Sequence, residues 1–140
     1  MKKECVETFN SLLRGERSAL ETYEKALATL DEGPHRIRLE QICAGHRERV
    51  ADLEQHILSL GGSPEKGSGA WGVVASVVQT VANVMGDKTA VYSLKEGEEH
   101  GLRSYQSSLE HVADQPACVK LINSCISAQQ ANVSTLESML

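Results

Sequence analysis

The chain is poor in aromatic residues, at 4%, and in proline, with 3 among 140 residues. That scarcity starves a β-sandwich or barrel of strand formers and leaves long stretches free of helix breakers. Basic charge is also in deficit: 14 Lys and Arg against 19 Asp and Glu give a net charge of -5, which argues against nucleic acid or an anionic membrane surface as a partner. No apolar run follows the charged start Lys2, Lys3, Glu4, so no secretory signal is read there and a cytoplasmic location is expected. Nucleotide-binding glycine loops, a nucleophile elbow and an H-E-x-x-H run are all missing. Cys5, Cys43, Cys118 and Cys125 are too widely spaced for a zinc ribbon or a redox pair, so reduced thiols are expected.

What is present is 41% hydrophobic and 24% charged residues, the balance of one folded domain with its own core. Gly33-Pro34, the run Gly61-Gly62-Ser63-Pro64 to Gly69, Gly86-Asp87, and Asp114-Gln115-Pro116 divide it. Residues 4 to 31 carry Val6, Phe9, Leu13, Glu16, Leu20, Tyr23, Leu27 and Leu30 three or four apart, one face of an α-helix. Residues 34 to 60 repeat the pattern through Leu39, Ile42, His46, Val50, Leu53, Ile57 and Leu60, with Pro34 where a first helical turn tolerates it. Residues 87 to 113 follow with Val91, Leu94, Glu98, Leu102, Tyr105, Leu109 and Val112, behind Asp87 as a cap. Residues 116 to 140 close the series with Ile122, Cys125, Gln129, Val133, Leu136 and Leu140. Between the second and third helices, Trp71, Val74, Val78, Val81 and Met85 keep helical spacing and predict a short fifth helix inside a crossover over 61 to 86. At this length, and interrupted by Ser76, Gln79, Thr80 and Asn83, it falls short of the roughly 20 apolar residues of a membrane span.

The first and third helices look duplicated. Gly15, Glu16, Leu20, Tyr23 and Leu27 recur as Gly97, Glu98, Leu102, Tyr105 and Leu109 at a shift of 82. The second and fourth match at a shift of 83, placing His46 on Gln129, Val50 on Val133 and Leu53 on Leu136. Two hairpins closed around one core are the natural packing, an all-α four-helix bundle. Glu16, His46, Glu98 and Gln129 then interrupt the core stripe near the middle of their helices and are expected to meet in one polar layer. Buried carboxylates are costly without pairing, protonation or a cation.

The R-G-E-x-x-x-L-x-x-Y run of residues 14 to 23 and the Leu60-Gly61-Gly62 end of the second helix resemble the ferritin-like superfamily, in particular its small bacterial four-helix-bundle families of uncharacterised function. The resemblance implies the fold and an ancestry among metal-carboxylate proteins. Di-iron members take a Glu from each of two helices and a Glu-x-x-His from each of the other two. Glu16 and Glu98 fit the lone glutamates, and His46 fits one histidine. Cys43 stands where its glutamate partner belongs, and Ile126 and Gln129 stand where the second pair belongs. Both bridging carboxylates are therefore missing, and no di-iron oxidase chemistry is expected. The resemblance also places Cys5 and Cys118 at the same end of the bundle, where two free thiols are favoured over a bridge.

Two readings of the layer follow. In the first it is a hydrogen-bonded network around protonated His46 that fixes helix register; no cofactor is expected, and the chain is a non-catalytic binding or assembly module, in a stress context among others. In the alternative, Glu16, His46 and Glu98 bind a single Fe, Mn or Zn ion with Cys43 and Gln129 adjacent, in a redox or iron-stress role. Tyr23 and Tyr105 are read as core residues with a polar tip. His35, Arg36, Arg38, Arg47 and Arg49, interleaved with acids, are read as a solvated face with local ion pairs. His56, His100 and His111 are read as surface residues. The apolar crossover stripe suggests a homodimer contact.

Overall fold

A computed structural model describes residues 2–30, 32–67 and 87–140 of the chain. Four helices run through them: α1 (Lys2–Thr29), α2 (Pro34–Ser59), α3 (Asp87–Ser108) and α4 (Pro116–Ser138). No strand occurs among the described residues. The expected crossover helix and the homodimer contact on Trp71 to Met85 lie outside them, as does the Asp87 side chain read as a cap.

The breakers act where their chemistry predicts. Pro34 and Pro116 each occupy the first turn of a helix, where the missing N–H has no partner to lose. At the end of α1, the Arg36 guanidinium donates to the carbonyl oxygens of Leu27 and Leu30, satisfying acceptors that a helix C-terminus leaves open. At the end of α2, Gly62 N–H donates to the Ile57 carbonyl at 3.0 Å and Gly61 N–H to Leu58 at 3.0 Å, with Gly61 at φ 83°. This is the paired C-terminal bonding that asks for a left-handed residue. Gly61→Ala is expected to lower stability by about 1 kcal/mol, read as a lower urea midpoint at unchanged slope. An unchanged midpoint would show that the turn does not need the glycine.

The third helix ends earlier than its apolar spacing predicts. It stops at Ser108 and tightens into a 3₁₀ turn over Leu109–His111. The hydroxyls of Ser107 and Ser108 both donate to the Ser104 carbonyl, at 3.1 and 2.7 Å, competing with the backbone ladder just where the helix fails.

The helices pair as two hairpins, α1 with α2 and α3 with α4, which meet along α1–α3 and α2–α4. Their inward faces form two apolar clusters. One gathers Phe9, Leu13, Leu53, Ile57, Val112 and Ile122; the other gathers Leu39, Ile42, Val91, Leu94 and Leu136. Each fully buried Leu or Ile contributes about 1.5–3 kcal/mol against exposure. Between the clusters lie Glu16, His46, Glu98 and Gln129, all buried, one from the middle of each helix. Asn10 holds the chain beyond α2 against α1, donating to the Ser63 carbonyl at 3.2 Å and accepting from Glu65 N–H at 2.8 Å.

Candidate functional site

The intruders in the apolar stripes do converge. His46 sits between the two glutamates, its Nδ1 2.6 Å from Glu16 Oε2 and its Nε2 2.6 Å from Glu98 Oε1. Each contact needs a hydrogen, and an imidazole protonated at both nitrogens supplies the two. Burial disfavours that charge, but the facing Glu16 and Glu98 more than offset it and raise His46 to about 9. Burial likewise pushes Glu16 up, and His46 and Arg49 outweigh it, holding the carboxyl at about 2. A desolvated charge facing an opposite charge is governed by its partner.

Arg49 is the residue that the reading of the sequence misplaced. Instead of lying on a solvated face it is 7% exposed, with Nε donating to Glu16 Oε1 at 2.9 Å and Nη2 donating to Gln129 Oε1 at 3.0 Å. Burial works against its charge, and Glu16 more than compensates, so its pKa rises. The guanidinium also lies beside the His46 ring, Nη2 being 2.8 Å from Nδ1. Two cations this close are tolerable because two carboxylates face them: the layer balances Glu16 and Glu98 against His46 and Arg49. A signal was available, since Arg49 follows His46 by three residues on one helix face, and a single histidine cannot neutralise two buried carboxylates. Of the other arginines of the stretch, Arg36 pairs with Glu40 at 3.0 Å as a local ion pair, whereas Arg38 donates to Ser138 Oγ at 3.3 Å and Arg47 to the Cys43 sulfur at 3.9 Å.

The duplication becomes visible as reciprocal bonds. Tyr23 donates to Glu98 Oε1 at 2.7 Å, and Tyr105, its counterpart in the other repeat, donates to Glu16 Oε1 at 2.5 Å. Each phenol thus serves the glutamate of the opposite half. Burial first, and then the adjacent carboxylate, pushes both phenols well above their ordinary range, so they remain donors. The second and fourth helices break the symmetry: Gln129, where α2 has His46, donates Nε2 to the Glu98 backbone carbonyl at 2.9 Å.

Cys43 does not join the layer. It packs in the apolar cluster with Leu39 and Ile42, and burial raises its thiol. The remaining cysteines are also free and buried. His56, read as a surface residue, instead lies half-buried between the Phe9 ring, at a centroid distance of 4.5 Å, and the Cys118 sulfur, 3.2 Å from Nε2. Its burial lowers its pKa, and burial, followed by the neighbouring Cys5, pushes the Cys118 thiol up to about 11.

The donor set does not fit a di-metal centre. Metal ligation needs deprotonated donors with free lone pairs, whereas both His46 nitrogens are engaged with carboxylates and the Arg49 cation faces the same oxygens. Among the described residues no three His, Cys, Asp or Glu side chains are grouped to hold a metal ion. Nor is any described helix long and apolar enough to cross a membrane.

Comparison with known proteins agrees with the fold. Residues 4–111 match a family described as a domain of unknown function, DUF2383. The chain is similar to the crystal structure of a ferritin-like, diiron-carboxylate protein from Bacillus anthracis str. Ames, with TM-score 0.79 and 21% identity over 99% of this chain and 96% of that one. It is also similar to a DPS protein from Vibrio cholerae O1, described as a member of a broad superfamily of ferritin-like diiron-carboxylate proteins, with TM-score 0.81 and 16% identity over 99% of this chain and 89% of that one. No curated protein matches.

Proposed function

The chain belongs to the DUF2383 family and has the ferritin-like fold, and from these two premises we propose that it is a metal-independent, non-catalytic ferritin-like module serving binding or assembly. The observation that carries this reading is the bridging of Glu16 and Glu98 by both nitrogens of His46 at 2.6 Å. With Arg49 as the second cation, the charge a metal would neutralise is already neutralised. An incoming divalent ion would have to displace a His46 proton, the imidazolium being raised to about 9, and would then face the Arg49 cation within a buried layer. Cys43, Ile126 and Gln129 occupy the positions at which the superfamily pattern has the remaining ligands, and none supplies a bridging carboxylate.

The test is metal content per chain by mass spectrometry after incubation with Fe(II), Mn(II) or Zn(II) and desalting. The wild-type protein and a Glu16→Ala/Glu98→Ala variant are expected to carry the same trace amount. A stoichiometric ion in the wild type that the variant loses would establish the single-ion reading and overturn this one.

A further inference from the structure

We propose that the cavity between α1 and α3 binds a small, neutral, mostly apolar molecule that carries one hydroxyl or amide N–H donor and gives it to Glu98 Oε2. The inference deepens the metal-independent reading and rests on it, because the ligand's charge follows from a layer already balanced by its own side chains.

The cavity measures about 350 Å³ and reaches the polar layer at Glu16, His46 and Glu98. A cavity of about 150 Å³ suffices for benzene, and small-molecule sites begin at about 300 Å³. Its walls are built twice by the internal repeat: Gly15, Ala19 and Thr22 of α1 stand in the repeat positions of Gly97, Gly101 and Ser104 of α3, and all line it. Small residues between helices often serve close backbone contact, but Gly97 does not: a Cβ added there meets nothing within 4 Å. It leaves space. Gly101 has another task, since a Cβ there would fall 2.5 Å from Gln129 Nε2, the nitrogen that reaches the Glu98 carbonyl.

Glu98 supplies the polar anchor. It is 2% exposed, and its Oε1 receives both His46 and Tyr23. Its Oε2 is buried without a partner, the one carboxylate oxygen of the layer so left. An orphaned acceptor in such a place carries a desolvation penalty that a donor would relieve. The phenols of Tyr23 and Tyr105 are already spent on the glutamates, and the Thr22 and Ser104 hydroxyls on the Ser18 and His100 carbonyls, so the rest of the ligand meets mostly carbon. Its charge is constrained as well. A cation would leave one uncompensated positive charge beside the buried layer, and an anion would face the Glu98 carboxylate; both are costly.

The test uses p-cresol as the probe, with toluene and benzylammonium as matched comparators, titrated calorimetrically into the full chain. Binding of p-cresol is expected, with toluene weaker by about tenfold or more, the worth of one hydrogen bond to a charged acceptor, and benzylammonium weaker again. Gly97→Leu, which fills the open wall, is expected to abolish p-cresol binding while circular dichroism keeps its helical signal; Gly15→Leu does the same from the opposite wall should the first variant not fold. No heat with p-cresol, equal affinity for toluene, tighter binding of benzylammonium, or full binding by the folded leucine variants would each overturn the proposal. Metal content measured on the same preparation separates the two readings: a metal-free protein that ignores p-cresol removes this inference alone, whereas a stoichiometric ion removes both.

Discussion

His46→Leu is expected to destabilise the bundle by about 3–5 kcal/mol, the loss seen when one member of a buried ion network is removed and its partners stay behind. Glu16 would retain Arg49 and Tyr105, but Glu98 would keep only the Tyr23 phenol on its carboxylate, in a site 2% exposed. The urea midpoint should fall sharply with the slope unchanged. Removing the whole network has the opposite expected sign. When Glu16→Leu/His46→Leu/Arg49→Met/Glu98→Leu is combined with Tyr23→Phe, Tyr105→Phe and Gln129→Leu, so that the phenols and amide bonded to the layer are not left without partners, no charge is stranded, and a well-packed apolar replacement is neutral or more stable by about 1–4 kcal/mol. The contrast separates a layer that maintains register from one on which net stability depends. If this combined variant were as unstable as the single one, the account of the layer as a desolvated, self-compensating network would fail. A His46→Leu loss below about 1 kcal/mol would mean that water or a proton reaches Glu98 readily.

Most of the architecture was legible because a helix reports its buried face through spacing, and four faces of matching length in two related pairs leave little freedom of packing. Glu16, His46, Glu98 and Gln129 were legible for the same reason: they break an apolar stripe at corresponding heights, and burial of all four follows. Spacing alone does not reveal Arg49, because it sits beside the stripe and its long side chain reaches the layer from a flanking position; only the charge count pointed to it. Periodicity says which Cα atoms face the core, and a six-bond side chain need not follow its Cα. The pairing of Tyr23 with Glu98 rather than Glu16 was hidden for a different reason. Sequence distance suggests the nearer carboxylate, whereas the packing of one repeat on the other crosses the partners. The early end of α3 turned on local competition from Ser107 and Ser108, a contest between hydrogen bonds that an apolar count does not register. His56 was misplaced because its partners, Phe9 and Cys118, come from α1 and α4, and only the closed bundle brings them to it.

Stability should depend on pH with a sign set by the same layer. His46 is raised from 6.5 to about 9 in the folded protein, so its contribution is complete below pH 6.5 and is lost as pH rises through 9. Glu16 is lowered from 4.5 to about 2, so its contribution is complete above pH 4.5 and is lost as pH falls through 2. The two shifts are largely one interaction seen from both ends and do not add. Either one corresponds to a change on the order of 3 kcal/mol across its window. Other groups act outside the interval from 6.5 to 9: His56, lowered by burial, favours unfolding as pH drops below 6.5, and Cys118 and Cys125, both raised from 9 to about 11, withdraw stability only above 9. The raised His46 therefore makes the urea midpoint decline from pH 6.5 to 9. His46→Gln, which keeps a donor between the carboxylates but cannot titrate, should start lower and stay flat over that interval. A wild-type midpoint that stays level between pH 6.5 and 9 would mean that His46 is neutral in the fold, and the charge balance that disfavours a metal ion would keep Arg49 as its one cation.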